Sequence, residues 1–448
     1  MTFKEKAADF MENKFLPKMV QIASNKYLVA IKDGFVFTTP FIIVGSFVLL
    51  LFNLPLQDPN NFLYFEPYGV FVKRFQTEFI QIYNCTMGMM ALFGAFGIGY
   101  SFAGHYNMDK PTCCFVSLYA FLLLSAKSIT ATMIGSAASL LHVTENTNIA
   151  IVDARYLDAK GLFIAIICGL VTVEISRFLM EKNIMIKLPD SVPPAISKSF
   201  EILIPVAVIS ILFQIVNVII QNKLHVMIPD LLLTFIQPLL NMADGLPAII
   251  IFLLLIHVLW FCGIHGANIV GPIMGLTTSL NLSINQAALT AGEQIPKIFA
   301  GEWMAFFAYT GGSGATLGLC IAMLMSKNAQ VKAIGKLAIV PGIFNINEPI
   351  IFGIPIVMNP LFAIPFVLTP IINAIISYIL MELNIISRIV ALVPWTTPSP
   401  LAAFIATNLN FLAPVLVLGL VVLDYFIYKP FLNIYIKQLE KEEIAAVS

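Results

Sequence analysis

VPGIFNINEPIIFGIPIVMNP, residues Val340 to Pro360, sets one carboxylate, Glu348, beside two amides, Asn345 and Asn347, in otherwise apolar sequence. Pro341, Gly342, Pro349, Gly353, Pro355 and Pro360 interrupt it, and it cannot be one unbroken helix. Each internal proline removes a backbone donor and clashes with the preceding turn, and Pro349 disfavours helical dihedrals at Glu348 itself. Broken backbone at membrane depth survives only where it lines a cavity or is buried in protein, and a carboxylate there is a functional candidate by default. The stretch therefore reads as a substrate-binding re-entrant loop.

That reading presumes a membrane. Of 448 residues, 59% are hydrophobic and 11% charged, against roughly 25% charged in soluble domains. The apolar runs are about 20 residues long, the length a helix needs to cross the hydrocarbon, and do not alternate like barrel strands. The expected fold is an all-α polytopic membrane protein. Formal net charge is zero, so nothing points to nucleic acid. Four of six cysteines, Cys85, Cys168, Cys262 and Cys320, lie in apolar runs and Cys113 adjoins Cys114. No disulfide, metal or cofactor pattern is present.

Along the chain, residues 1–33 carry Phe3, Ala7, Phe10, Met11, Phe15 and Leu16 at helical spacing among lysines, which predicts an amphipathic leader lying on membrane lipid. Clear spans follow near 34–54, 78–103, 110–127, 161–180 and 198–222, making 34–222 a regular scaffold half. Within it, Glu174 and Arg177 stand three apart near a span end and read as a mutual pair or as snorkelling side chains rather than as substrate ligands. Residues 223–243, with Pro229, Asp230 and Pro238, read as an interfacial connector. The half from 244 to 430 shows clear spans only near 246–263, 302–325, 360–381 and 411–430, and 431–448 form a tail. Lysine-bearing segments at both ends put the N- and C-termini in the cytoplasm, so the number of crossings is even. A tenth helix must then hide among the interrupted segments 264–300 and 333–359. Two Gly/Pro-broken segments in one half are the sequence pointer to a transporter's binding site.

The first of these opens Trp260-Phe-Cys-Gly-Ile-His265-Gly-Ala-Asn268. Gly263 and Gly266 flank the histidine and let backbone turn sharply there, whereas His257, on an unbroken run, reads as packing. A neutral sugar presents hydroxyls over an apolar face, so its site needs polar partners and aromatic platforms. Glu348, Asn345, Asn347, His265 and Asn268 supply the first, and Trp260 and Trp395 the second. Gly311-Gly-Ser-Gly-Ala-Thr316 lacks the Lys-Ser/Thr ending of a phosphate loop and reads as close packing or cavity-lining backbone.

The strings WFCGIHG (260–266), GGSGATLGL (311–319), FNINEPIIFGIPIVMNP (344–360), PWTTP (394–398) and KLPDSVPPAISKSF (187–200) closely resemble the lactose/cellobiose/diacetylchitobiose family of phosphotransferase-system sugar permeases, the IIC component. The resemblance runs nearly the length of the chain in order. It implies a homodimer of ten-helix protomers in a bacterial cell membrane, with a dimerising N-terminal half and two re-entrant hairpin segments in a C-terminal half that moves the sugar. It implies that His265 and Glu348 contact a β-linked disaccharide, whose 6-hydroxyl is phosphorylated by a soluble IIB phosphocarrier. Glu348 is the candidate general base. The chain departs from the pattern at Cys262 and in the loop 142–160, which leaves cellobiose, lactose and diacetylchitobiose open. Bottom-up, an ion-coupled sugar symporter with Glu348 as the ion or proton site, and a non-transporting sensor, remain alternatives.

Overall fold

The computed structural model describes residues 24–57, 64–135, 143–189, 191–354 and 359–447, with the isolated positions 17, 18, 21, 59, 356 and 357. Most of the expected leader before Ser24, together with Pro355 and Met358 of the proline-broken stretch, lies outside the described residues.

The chain is mostly helical. Its first part holds α1 (Lys26–Val36), α2 (Thr39–Phe52), α3 (Glu66–Cys85), α4 (Met90–Gly104), α5 (Lys110–Ser125), then strands β1 (Ser128–Met133) and β2 (Thr147–Val152). It continues with α6 (Leu162–Glu181), α7 (Pro194–Glu201), α8 (Leu203–Leu224) and α9 (Ile228–Ala243). The remainder holds α10 (Leu246–Phe261), α11 (Gly266–Ala291), α12 (Leu317–Leu324), α13 (Ala329–Ile343), α14 (Glu348–Gly353), α15 (Pro360–Glu382), α16 (Ser399–Ala406) and α17 (Leu412–Val447). Among the described residues, six helices are long and apolar enough to cross a membrane, or seven if α9 and α10 form one bent span.

The sequence accounts for where these helices begin and end. The Asn25 side chain accepts from Tyr27 N and Leu28 N to open α1, and Asp109 accepts from Thr112 N to open α5, with Pro111 in the first turn. Such caps take up amide donors that a helix start leaves without partners. His225 ends α8 and Gly292 ends α11 in the left-handed region, at φ 54° and 70°.

Three expectations need correction. The strand pair replaces part of what was read as loop in an all-α chain: Ser128 lies opposite Val152 and Met133 opposite Thr147. Ile129 lies opposite Ile151, Thr130 opposite Ala150, Ala131 opposite Ile149 and Thr132 opposite Asn148, a set rich in β-branched residues, which pack better on a pleat than on a helix. The two irregular places of the C-terminal part also differ from expectation. Residues 266–291, read as interrupted, form one helix despite Pro272, because a single proline removes one donor and the long flanking turns hold the rest. Residues 302–325, read as a clear span, are broken: a π-turn at Met304–Ala308, a loop, then α12. Gly311, Gly312 and Gly314 stand there at φ 78°, 96° and 88°, values that no helix contains.

The chain divides into two compact units. One comprises Asn25–Ile42 and Asn84–Pro238. Its helices meet through small residues: Gly97 lies against Gly34, and Ser117 Oγ and Thr172 Oγ1 hydrogen-bond at 2.8 Å between α5 and α6. Such close backbone approach is what drives helix association where hydrophobic burial offers no gain over lipid. Glu174 is paired as its spacing suggested, accepting from Arg177 Nε at 2.9 Å, and it also accepts from Tyr27 and Tyr106.

The other unit comprises Ile43–Tyr83 and Leu239–Ser448. Trp303, Phe299, Phe306, Phe307, Phe362, Phe366 and Tyr428 fill its core. Irregular backbone at 294–300 and 386–391 is held by amides on α11. Asn285 donates to Lys297 O and Ile389 O, both at 2.8 Å, and accepts from Lys297 N at 2.9 Å, while Gln286 donates to Val390 O at 3.0 Å. We expect Asn285→Leu to lower the thermal unfolding midpoint of detergent-purified protein, each orphaned backbone group costing about 1–3 kcal/mol. A midpoint equal to wild type would show that these segments are held by other means.

Candidate functional site

The proline-broken stretch folds as a helix end, a turn and a new short helix. α13 stops at Ile343, Asn345 turns the chain at φ 63°, and α14 begins at Glu348 with Pro349 in its first turn. Proline is tolerated at that position because the amide it lacks would have had no helical partner. Glu348 therefore emerges on a fixed corner beside a cavity of about 370 Å³, within the range of small-molecule pockets.

The structure brings all seven residues singled out from sequence to the wall of this cavity: Trp260, His265, Asn268, Asn345, Asn347, Glu348 and Trp395. Their hydrogen bonding separates them into two kinds. Asn345 is fully committed to the protein. Its Oδ1 accepts from Gly311 N and Ser399 Oγ, both at 2.9 Å, and its Nδ2 donates to Trp395 O at 2.7 Å and Thr397 O at 3.1 Å. Both lone pairs and both protons of the amide are used, so Asn345 fastens the glycine loop to the Pro394–Pro398 loop. Asn347 donates to Ser313 O at 2.5 Å and Thr316 Oγ1 at 3.0 Å. Gly312 lies against it so closely that a Cβ there would sit 2.6 Å from Asn347 Cγ.

The remaining side chains keep polar groups that have no partner among the described residues. Glu348 is exposed to the cavity, and among the described residues its carboxylate has no hydrogen-bond partner or counter-ion. His265 caps α11, its Nδ1 accepting from Asn268 N at 3.3 Å. A neutral imidazole so bonded carries its proton on Nε2, a tautomer assigned from the hydrogen bond. The ring sits 4.4 Å from that of Trp260 and within reach of the Glu348 charge. Trp260 is 6% exposed, and its buried Nε1 donor has no partner among the described residues. Trp395, 49% exposed, presents indole surface from a loop whose carbonyl is tied to Asn345. The set can offer acceptors, donors and aromatic faces to a polyhydroxylated molecule.

The cavity runs along one face of α11, past Asn268, Gly271, Met274, Gly275 and Thr278. At 1.5 Å per residue, the ten steps from Asn268 to Thr278 cover about 15 Å. His265 and Glu348 stand at its first end. At the far end Gly301 N donates to Thr278 O at 3.0 Å, and the next residue, Glu302, lines the wall with Met304, Ala305 and Tyr309. Sequence reading missed Glu302, taking it for the edge of an apolar span. The signal was its place after Gly301, in a stretch opened by Pro296. His257 is the packing residue it was taken for: its Nδ1 donates to Leu253 O at 2.7 Å and its Nε2 accepts from Gly314 N at 2.9 Å.

We expect Asn345→Asp to destabilise the site, since a carboxylate cannot donate to the Trp395 and Thr397 carbonyls and would repel them. The check is the thermal midpoint together with acrylamide quenching of Trp395, the exposed member of three tryptophans. Unchanged values for both would show that the loops are not fastened through this amide.

Comparison with known proteins places the chain among described families. Residues 32–370 match the family model "Phosphotransferase system, EIIC". The lichenan permease IIC component of Bacillus subtilis (strain 168) is 35% identical over 98% of this chain and 95% of its own length. The cellobiose-specific EIIC component of Geobacillus stearothermophilus is 34% identical over 97% and 95%. Among solved structures, the transporter ChbC, the IIC component from the N,N'-diacetylchitobiose-specific phosphotransferase system, superposes with a TM-score of 0.87 at 35% identity, covering 97% of this chain and 99% of that one.

Proposed function

The chain belongs to the phosphotransferase-system EIIC family, the permease component of bacterial sugar uptake, and on that premise we propose that it binds a β-linked disaccharide of the cellobiose, lactose or diacetylchitobiose class. The observation that carries this reading is a cavity where, among the described residues, the unpaired groups include the Glu348 carboxylate, the His265 Nε2–H and the Trp260 Nε1–H, with the Trp395 indole beside them. A neutral sugar satisfies all of these at once, because each hydroxyl both donates and accepts and the ring offers a C–H face to an indole. An ion bound at Glu348 would leave the Trp260 donor unpaired.

In this proposal Glu348 accepts a hydrogen bond from the sugar 6-hydroxyl and takes its proton as a phosphoryl group arrives from a separate phospho-IIB protein. His265 and Asn268 hold the same ring, Trp395 and Trp260 pack its faces, and Asn345 and Asn347 keep these elements in place. The C-terminal half, residues 244–430, moves as a unit and carries the sugar inward, with 223–243 as the hinge. The protomer forms a homodimer through 34–222, both termini are cytoplasmic, and the broken segments of the C-terminal half, two of them re-entrant, bring the helices to ten.

The decisive experiment is uptake of labelled disaccharides into membrane vesicles with and without phosphoenolpyruvate and the soluble phosphotransfer proteins. Accumulation of sugar phosphate dependent on those proteins is expected, whereas uptake abolished by an uncoupler alone would support the symporter. Glu348→Gln should retain most sugar binding and lose most phosphorylation, since the amide is nearly isosteric but takes no proton. Wild-type phosphorylation in this variant would sink the general-base role. His265→Ala should bind sugar about 1–3 kcal/mol more weakly, as read by titration calorimetry. For the movement, cysteine pairs joining 84–222 to 244–430 should stop transport reversibly while binding persists. Wild-type uptake through several such cross-links would mean that the halves do not shift.

A further inference from the structure

We propose that Glu302 is a second sugar-ligating carboxylate, which accepts hydrogen bonds from adjacent hydroxyls of the hexose unit remote from Glu348. The proposal rests on the disaccharide reading above and adds a residue to it. Its starting point is a contrast among acids of the same unit. Asp244 accepts from Phe299 N at 2.8 Å and Asn281 Nδ2 at 3.2 Å. Asp424, fully buried, accepts from Asn373 Nδ2 at 2.9 Å and Thr310 Oγ1 at 3.1 Å. Glu302 lies deep beside the same core, yet among the described residues no donor or cation reaches its carboxylate.

An inward carboxylate without partners is costly in an apolar surround, so such groups persist where a ligand completes them. The backbone around Glu302 is firmly set: Gly301 N is bonded to Thr278 O, and Trp303, fully buried, donates from Nε1 to Met381 Sδ at 3.1 Å. That anchoring holds the carboxylate at the cavity wall. A second orphan points to the chemistry of the ligand. The Trp260 Nε1–H, buried on the same cavity and unpartnered among the described residues, needs an acceptor, which a bare cation or an ammonium group cannot be. A polyol answers both. Two carboxylate oxygens match two neighbouring hydroxyl donors, and the α11 wall from Asn268 to Thr278, beside which Gly301 is bonded, runs about 15 Å, longer than one sugar ring. Glu302 thereby selects for length: a monosaccharide held by Glu348 leaves it unpaired.

The test is binding of cellobiose, glucose and the monodeoxy analogues of cellobiose to detergent-purified wild type, Glu302→Gln and Glu302→Ala, with Glu348→Gln in parallel. Wild type should lose roughly 10- to 100-fold in affinity when a hydroxyl facing Glu302 is deleted, the usual worth of a hydrogen bond to a charged group. Glu302→Gln should bind cellobiose weaker by a similar factor, and it should respond far less to deletion of those same hydroxyls while Glu348→Gln still responds fully. Its preference for cellobiose over glucose should shrink. Equal affinities of wild type and both Glu302 variants for every analogue would overturn the proposal and leave the disaccharide reading intact. A uniform loss across all analogues with a lowered thermal midpoint would also overturn it, assigning Glu302 to the fold. Failure of wild type to bind any β-linked disaccharide would remove both.

Discussion

Unwound backbone inside an apolar unit has to find polar partners, and in this protein side-chain amides provide them. Asn345 is the clearest instance, with four hydrogen bonds from one amide that join the glycine loop, the turn before Glu348 and the loop bearing Trp395. Asn285 and Gln286 do the same for the irregular segments at 294–300 and 386–391. An exposed loop could leave such groups to water. Here water is scarce, and each orphan would cost free energy comparable to the bond it lost.

This constraint makes the cavity readable. Most inward polar groups of the unit are matched within the protein, although among the described residues the amide oxygens of Asn281, Gln286, Asn373 and Asn408 and the Arg388 Nε are buried without a partner away from the cavity. Glu348, Glu302, the His265 Nε2–H and the Trp260 Nε1–H belong to the same wall, and the shared cavity is the physical reason for their lack of partners. The glycine loop contributes backbone rather than side chains. Gly312 and Ser313 border the cavity, and the tight approach of Asn347 to Gly312 leaves no room for a Cβ. His257, Tyr428 and Asp424 support the loop from behind, through Gly314 N, Gly314 O and Thr310. Rigid support of this kind is what a binding site needs to hold its groups at productive distances.

Much of this was legible from residues alone. Apolar runs of membrane length, sparse charge and a glutamate among prolines state the solvent, the fold class and the irregular place around Glu348, because each is a local property of the chain. The glycines beside His265 and the prolines around Trp395 likewise announce bends wherever they occur. For that reason the seven residues picked from sequence could be found on one cavity wall. The β-branched strands at 128–133 and 147–152 were legible too, but were outweighed by the helical character around them.

Other features were decided by tertiary structure. Glycines at 311, 312 and 314 do not by themselves say whether a helix runs through them, and α11 shows that a proline need not break one; the outcome depends on which neighbours accept the freed backbone groups. Spacing along the chain likewise cannot tell a free amide from a filled one. Asn268 and Asn345 look alike in sequence, yet Asn345 is saturated by partners 34 to 54 residues away. Glu302 became visible only once α11 and the 292–303 segment had been laid along the same cavity. Local chemistry determined where this chain must bend and what kind of ligand suits it, and long-range hydrogen bonding determined which polar groups remain available to meet that ligand.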